Sequence, residues 1–311
     1  MKIEQIQGFS IEKDNLIALK KMGHIYEICY SEHLNSKCSI KLLDKDYYML
    51  LTTGEIKECE HIDNRSENKA QVSQSLKRLR DYINTNVVDP NCCLWVTLTY
   101  AENMRDTKKL YIDFKRFIRR FINRYGKIEY IVAMEPQGRG AWHCHCIIIF
   151  NKKAPYIPNT DIAQLWEQGF TKTNKLQNID NIGAYLTAYL GDMDYDSCIE
   201  NNICFSEYDI KEVTEIGNIK LKKPKKFVKG GRLCMYPPKF NIYRISRGIK
   251  KPTKEYIKYS EAKEKVGLRH PTYSKSIKLT SENEEFTNII SYEYYNTLRK
   301  WYQCGIDVVV S

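Results

Sequence analysis

His143 and His145 flank Cys144 in the run Trp142 to Phe150. In an extended chain successive side chains point to opposite faces, so both imidazoles share one face while Cys144 and Cys146 share the other. These four residues cannot converge on one ion while the strand stays regular, which argues against zinc. Two imidazoles with a nearby carboxylate instead make a mixed nitrogen and oxygen donor set suited to Mg²⁺ or Mn²⁺, with positions left open for water or phosphate. Glu135 is the candidate third donor. It ends the stretch Glu129 to Glu135, and the intervening Pro136-Gln137-Gly138-Arg139-Gly140 has the glycines a tight reversal needs. Folding there brings Glu135 within cross-strand reach of His143. Two histidines on a strand are also what an ordinary sheet carries. Tyr185 and Tyr189 lie in Gly183-Ala-Tyr-Leu-Thr-Ala-Tyr-Leu-Gly191, and their spacing puts both phenols on one helical face. In a chain with 23 tyrosines such a pair also arises from plain packing.

The elements that must position these groups are legible around them. Val72, Leu76, Leu79 and Ile83 form the stripe of an amphipathic helix over about 68–85, with Lys77, Arg78 and Arg80 on its other face. Leu94-Trp95-Val96-Thr97-Leu98-Thr99-Tyr100 alternates and is rich in β-formers, so it reads as a strand. Residues 108–125 repeat Leu110, Phe114, Phe117, Ile118 and Phe121 at helical spacing, with Lys115, Arg116, Arg119, Arg120 and Arg124 on a cationic outside. Short helices are expected near 161–168 and 182–190. Beyond Gly191 an acidic patch (Asp192, Asp194, Asp196, Glu200) gives way to a basic run over 220–232 with seven cations in thirteen residues. The tyrosine-rich stretch around Tyr292, Tyr294 and Tyr295 reads as helix or loop. Residues 1–65 show short strand-like runs, Ile25 to Tyr30 and Tyr47 to Leu51, and no recognisable chemistry.

Composition narrows the class. At 42% hydrophobic and 28% charged, the 311 residues have the balance of a folded protein rather than a disordered one. The net charge of +11 and pI near 9.0 favour a polyanionic partner. No apolar run approaches the roughly 18 residues of a membrane span, so no membrane association is expected. The opening Met1-Lys2-Ile3-Glu4-Gln5-Ile6 does not resemble a secretory leader. The 11 cysteines are odd in number, irregularly spaced and free of any Cys-x-x-Cys pair, and they read as reduced thiols of a cytoplasmic protein. A noncatalytic nucleic-acid-binding protein, with Trp95, Tyr100 and Trp142 stacking bases, would also explain the charge. It does not explain the order in which the histidines, the glutamate and the tyrosines occur.

That order is Thr97-Leu98-Thr99-Tyr100, then Glu135 with His143-x-His145, then Tyr185 and Tyr189. It resembles the three motifs of the HUH endonuclease superfamily, specifically the rolling-circle replication initiators of small plasmids and single-stranded DNA phages, over about residues 68–191. The segment from Tyr236-Pro237-Pro238-Lys239-Phe240 through Tyr243-Arg244 to Gly248 is also similar to such initiators. The resemblance implies an α+β fold whose central antiparallel sheet of about five strands is flanked by helices, with the histidines on a central strand and helices over the opposite face. It makes His143, His145 and Glu135 ligands of Mg²⁺ or Mn²⁺, and Tyr185 or Tyr189 the nucleophile that nicks single-stranded origin DNA, leaving a 5′-phosphotyrosyl enzyme and a free 3′-hydroxyl. Host helicase and polymerase are the implied partners, since no Walker-type helicase motif is present. A relaxase or transposase of the same superfamily would share this chemistry. Related initiators often carry a lysine three residues after the first tyrosine; here that residue is Ala188, which leaves the assisting cation unassigned. Arg139 in the hairpin turn and Lys220, Lys222, Lys223, Lys225 and Lys226 in the basic run are candidate DNA contacts. The implied organisation is an N-terminal extension over 1–65, a nicking domain over 66–195, and a basic accessory region over 196–311.

Overall fold

The computed structural model describes residues 2–34, 39–61, 65–176, 181–187, 190–216, 219–267 and 269–298. The chain forms two compact units: residues 35–251 make one, and residues 1–34 together with 252–311 make the other. Among the described residues, no helix is long and apolar enough to cross a membrane.

The 35–251 unit is built on a sheet of five strands: β1 (Cys93–Thr99), β2 (Glu129–Pro136), β3 (Trp142–Ile149), β4 (Thr171–Asn174) and β5 (Tyr243–Ile245). Their order is β4-β1-β3-β2-β5, and every pairing is antiparallel. The histidine strand β3 is therefore central, flanked by β1 and by its hairpin partner β2. The hairpin closes where the Gln137 N–H donates to the Ala141 carbonyl (2.7 Å).

Helices cover both faces, because both faces carry apolar residues. On one, α1 (Thr107–Tyr125) and α2 (Asn159–Trp166) bury Phe114, Phe117, Phe121, Leu165 and Trp166 against Val96, Leu98, Cys144, Cys146 and Ile148. Each fully buried phenylalanine contributes about 1.5–3 kcal/mol of hydrophobic stabilisation. Asp106 caps the first of these helices by accepting from the Lys108 and Lys109 N–H groups. On the histidine face, the helix Lys69–Asn86 lays Leu79 and Ile83 over Ile131, Ala133 and Ile147. Helices are thus not confined to the face opposite the histidines: the apolar end of that face needs its own cover, and only its polar end is left for chemistry.

The basic run is a strand. Ile219–Val228 pairs on one side with Met193–Asp194 and on the other with Ile210–Ile216, whose register sets Glu212 across from Lys226 and Glu215 across from Lys220. A further small antiparallel sheet joins Ile40–Leu42, Tyr47–Leu50 and Ile56–Glu58.

The other unit is a six-stranded antiparallel sheet ordered Lys2–Ile6, Tyr273–Thr280, Thr287–Asn296, Ile25–Ser31, Leu16–Met22, Thr253–Lys258. Ala262 and Val266, at the helix Tyr259–Lys265, pack on Ile17, Leu19, Ile28 and Tyr295. The tyrosine-rich stretch expected as helix or loop is the strand Thr287–Asn296, in which Ser291 and Tyr295 are buried. Its β-branched and aromatic residues suit a pleated surface better than a helix.

Candidate metal centre

The register of the central strands assembles the site. Thr99, His143 and Glu135 lie in one cross-strand row, and Thr97, His145 and Ala133 in the next. Row neighbours share a face, so the two imidazoles and the carboxylate project together. Glu135 Oε2 lies 3.2 Å from His143 Nε2 and 3.5 Å from His145 Nε2, and the two rings are 4.5 Å apart between centroids. The three candidate ligand atoms all fall within 4.8 Å of one another. The second nitrogen of His145, Nδ1, is 3.4 Å from Thr97 Oγ1, which helps set the ring's orientation. Cys144 and Cys146 point into the opposite layer and are fully buried, and burial pushes both thiols up, so they take no part in the site.

A carboxylate whose side chain is only 4% exposed needs compensation. Glu135 Oε1 accepts from the Gly191 N–H (2.9 Å) and pairs with Arg232 Nη1 (2.7 Å), which leaves Oε2 to the histidines. Burial by itself would raise the Glu135 pKa, but the hydrogen bonds to His143 and His145 and the Arg232 charge hold it well below the usual carboxylate range. Burial lowers the His143 pKa, with Glu135 opposing it, which favours the neutral imidazole that binds metal. His143 and His145 side chains are 12% and 26% exposed, so one side of the triad stays open to a ligand. Two imidazole nitrogens and one carboxylate oxygen converging beside an open side fit a divalent ion that keeps positions for water or phosphate.

The tyrosine motif begins on α3 (Ile182–Thr187). This helix packs on Lys69–Asn86 through Gly183, whose N–H donates to the buried Asn84 Oδ1 (2.9 Å). A Cβ at Gly183 would stand 2.5 Å from that oxygen and 2.7 Å from the Arg80 carbonyl, so only glycine permits this approach. Ile182 and Leu190 join the core of the histidine face. The Tyr185 backbone is thus on the triad's side of the sheet; its side chain, Ala188 and Tyr189 lie outside the described residues.

Other sequence candidates are arranged differently. Arg139 is exposed, and its guanidinium is turned to the Tyr100 carbonyl (Nη2, 2.8 Å) and to Gln137 Oε1 (Nε, 3.3 Å). Lys225 and Lys226 are exposed on the strand Ile219–Val228, and the side chains of Lys220, Lys222 and Lys223 lie outside the described residues. The cationic outside of α1 is largely paired: Lys109 with Asp113 (2.6 Å), Arg116 with Asp113 (3.6 Å), Arg120 with Glu167 (2.6 Å) and Arg124 with Asp161 (2.8 Å).

Arg232 was missed as a site residue, because in the sequence it is merely the last cation of a basic run. Its signal is the Gly230-Gly231 pair just before it, which turns the chain back so that the Arg232 N–H donates to the Gly191 carbonyl (2.9 Å). The same segment brings in Tyr236, whose hydroxyl is buried without a partner, as is Arg232 Nε.

The family model of the replication-associated protein ORF2 matches residues 93–194, about a third of the chain, from β1 through the tyrosine motif to Asp194. This similarity supports a protein that works in the initiation of DNA replication. Neither curated proteins nor solved structures give a match.

Proposed function

We propose that this protein is a rolling-circle replication initiator that nicks single-stranded origin DNA by tyrosine transesterification. The observation that carries the reading is the Gly191 N–H bond to Glu135 Oε1: the chain is fastened to the triad's carboxylate two residues after Tyr189. With α3 docked through Gly183, the Tyr185–Tyr189 segment is held at both ends on the triad's face.

His143, His145 and Glu135 would hold Mg²⁺ or Mn²⁺, which when bound supplies a Lewis acid for a non-bridging phosphate oxygen. A phenol of pKa about 10 is mostly protonated at neutral pH, so the tyrosine must lose its proton as it attacks. Its oxygen forms a bond to phosphorus while the bond from phosphorus to the 3′-oxygen breaks. The departing oxygen takes up a proton, leaving a 5′-phosphotyrosyl enzyme and a free 3′-hydroxyl on which polymerase extends. Arg232 and the Gly191 N–H orient Glu135 so that Oε2 faces the open side. Two tyrosines four residues apart suit alternation between holding one DNA end and cutting the next.

The test is a denaturing gel of protein incubated with labelled single strands of its replicon, with Mn²⁺ or with EDTA. A metal-dependent covalent adduct that vanishes in the Tyr185→Phe/Tyr189→Phe double variant is expected. Adduct retained by that variant, or tight binding with no adduct on any origin strand, overturns the mechanism.

A further inference from the structure

A second cluster of cations borders the sheet away from the triad. β5 is the edge strand beside β2, and a cleft of about 320 Å³ along it is lined by Arg65, Arg78 and Arg244 with Ser75, Tyr82 and Asn241. Arg65 Nη2 donates to the Phe240 carbonyl (2.7 Å), and Nη1 to Gln71 Oε1 at 3.3 Å. Its Nε is buried with no acceptor. The Arg244 guanidinium lies 3.6 Å over the centre of the Tyr111 ring, held by an aromatic face and not by an acid. Arg78 is exposed on the helix Lys69–Asn86. Among the described residues no carboxylate pairs with any of the three, in contrast to the paired cations of α1.

We infer that this cleft binds a phosphodiester of the DNA strand, outside the metal centre. Guanidinium donors suit phosphate oxygens, and the unmet Arg65 Nε is a buried donor awaiting an anionic acceptor. Tyr243, next to Arg244, pairs with Ala133, two residues from Glu135 on β2. From strand spacing and rise that separation is on the order of 10 Å. At about 3.4 Å per nucleotide the cleft and the triad would engage one strand about three nucleotides apart. The inference rests on the DNA-nicking reading for its ligand, but it is tested by binding alone.

Anisotropy of a fluorescein-labelled single strand is measured in EDTA between about 50 and 200 mM salt. Each lost phosphate contact flattens the slope of log affinity against log salt by about 0.7 on a single strand. The Arg78→Gln/Arg244→Gln variant should therefore lose about 1.4 from the wild-type slope, and Arg78→Gln alone about 0.7. Because Arg78 is exposed, the single variant decides the matter if the double variant does not fold. Unchanged slopes overturn the inference. So does a melting-temperature rise with inorganic phosphate that the double variant loses while its slope stays at the wild-type value, since the cleft would then take a free anion. Flattened slopes together with no covalent adduct would retire the nicking mechanism and leave the phosphate cleft standing.

Discussion

Arg232→Met tests how the triad's carboxylate is kept charged in a buried place. Glu135 and Arg232 side chains are 4% and 19% exposed and 2.7 Å apart. Breaking a buried pair by removing one partner costs about 3–5 kcal/mol, because the other charge is left uncompensated. Glu135 keeps the Gly191 N–H and both imidazoles, so the expected loss is at the low end, about 3 kcal/mol. Glu135→Gln removes the same pair from the other side. In the Glu135→Gln/Arg232→Met double variant no unpaired charge remains, so the two losses should fall short of additivity by about 2 kcal/mol. Urea unfolding in EDTA followed by tryptophan fluorescence measures this, because Trp95, Trp142 and Trp166 all belong to the 35–251 unit. A coupling energy below about 0.5 kcal/mol would mean that the pair contributes nothing specific, and the account of Arg232 as the residue that orients Glu135 would fail.

Gly183→Ala drives a methyl into Asn84 Oδ1 and the Arg80 carbonyl; a destabilisation of about 1–3 kcal/mol is expected, with adduct formation falling further than stability alone explains. Adduct yield at the wild-type level would show that α3 need not be seated there. Iodoacetamide followed by mass spectrometry should label exposed Cys204 first in the folded protein and spare Cys93, whose thiol burial pushes up to about 12, together with Cys144 and Cys146. Early labelling of Cys144 would mean that the layer behind the histidines is open.

The triad was legible because strand parity and a short hairpin are local rules: His143, His145 and Glu135 lie on the two arms of one hairpin, and the register follows from the loop. The seat of the tyrosine helix was legible only in part. Gly183 bounds the motif in the sequence, but its partner Asn84 is on a distant helix. Arg232 was out of reach, since nothing local distinguishes it from the lysines before it; its role comes from two long-range contacts, to Gly191 and Glu135. For α1 the sequence displayed the cations but not Asp161 and Glu167, which arrive from the following helix and its end. Tyr292 to Tyr295 were misread because the strand on one side of them, Ile25–Ser31, comes from the far end of the chain.

That last pairing also governs how the protein can be made and cut. Thr287–Asn296 sits in the middle of its sheet, between Tyr273–Thr280 and Ile25–Ser31, and the 35–251 unit is threaded between two strands of that sheet. On the ribosome the inserted unit emerges whole while its host still lacks half its strands, so the N-terminal strands must wait until the C-terminal ones are synthesised. Truncation from either end therefore breaks one shared sheet. Removing residues 1–34 or residues 252–311 is the same lesion reached from two directions, and a function lost in both truncations belongs to that sheet as a whole.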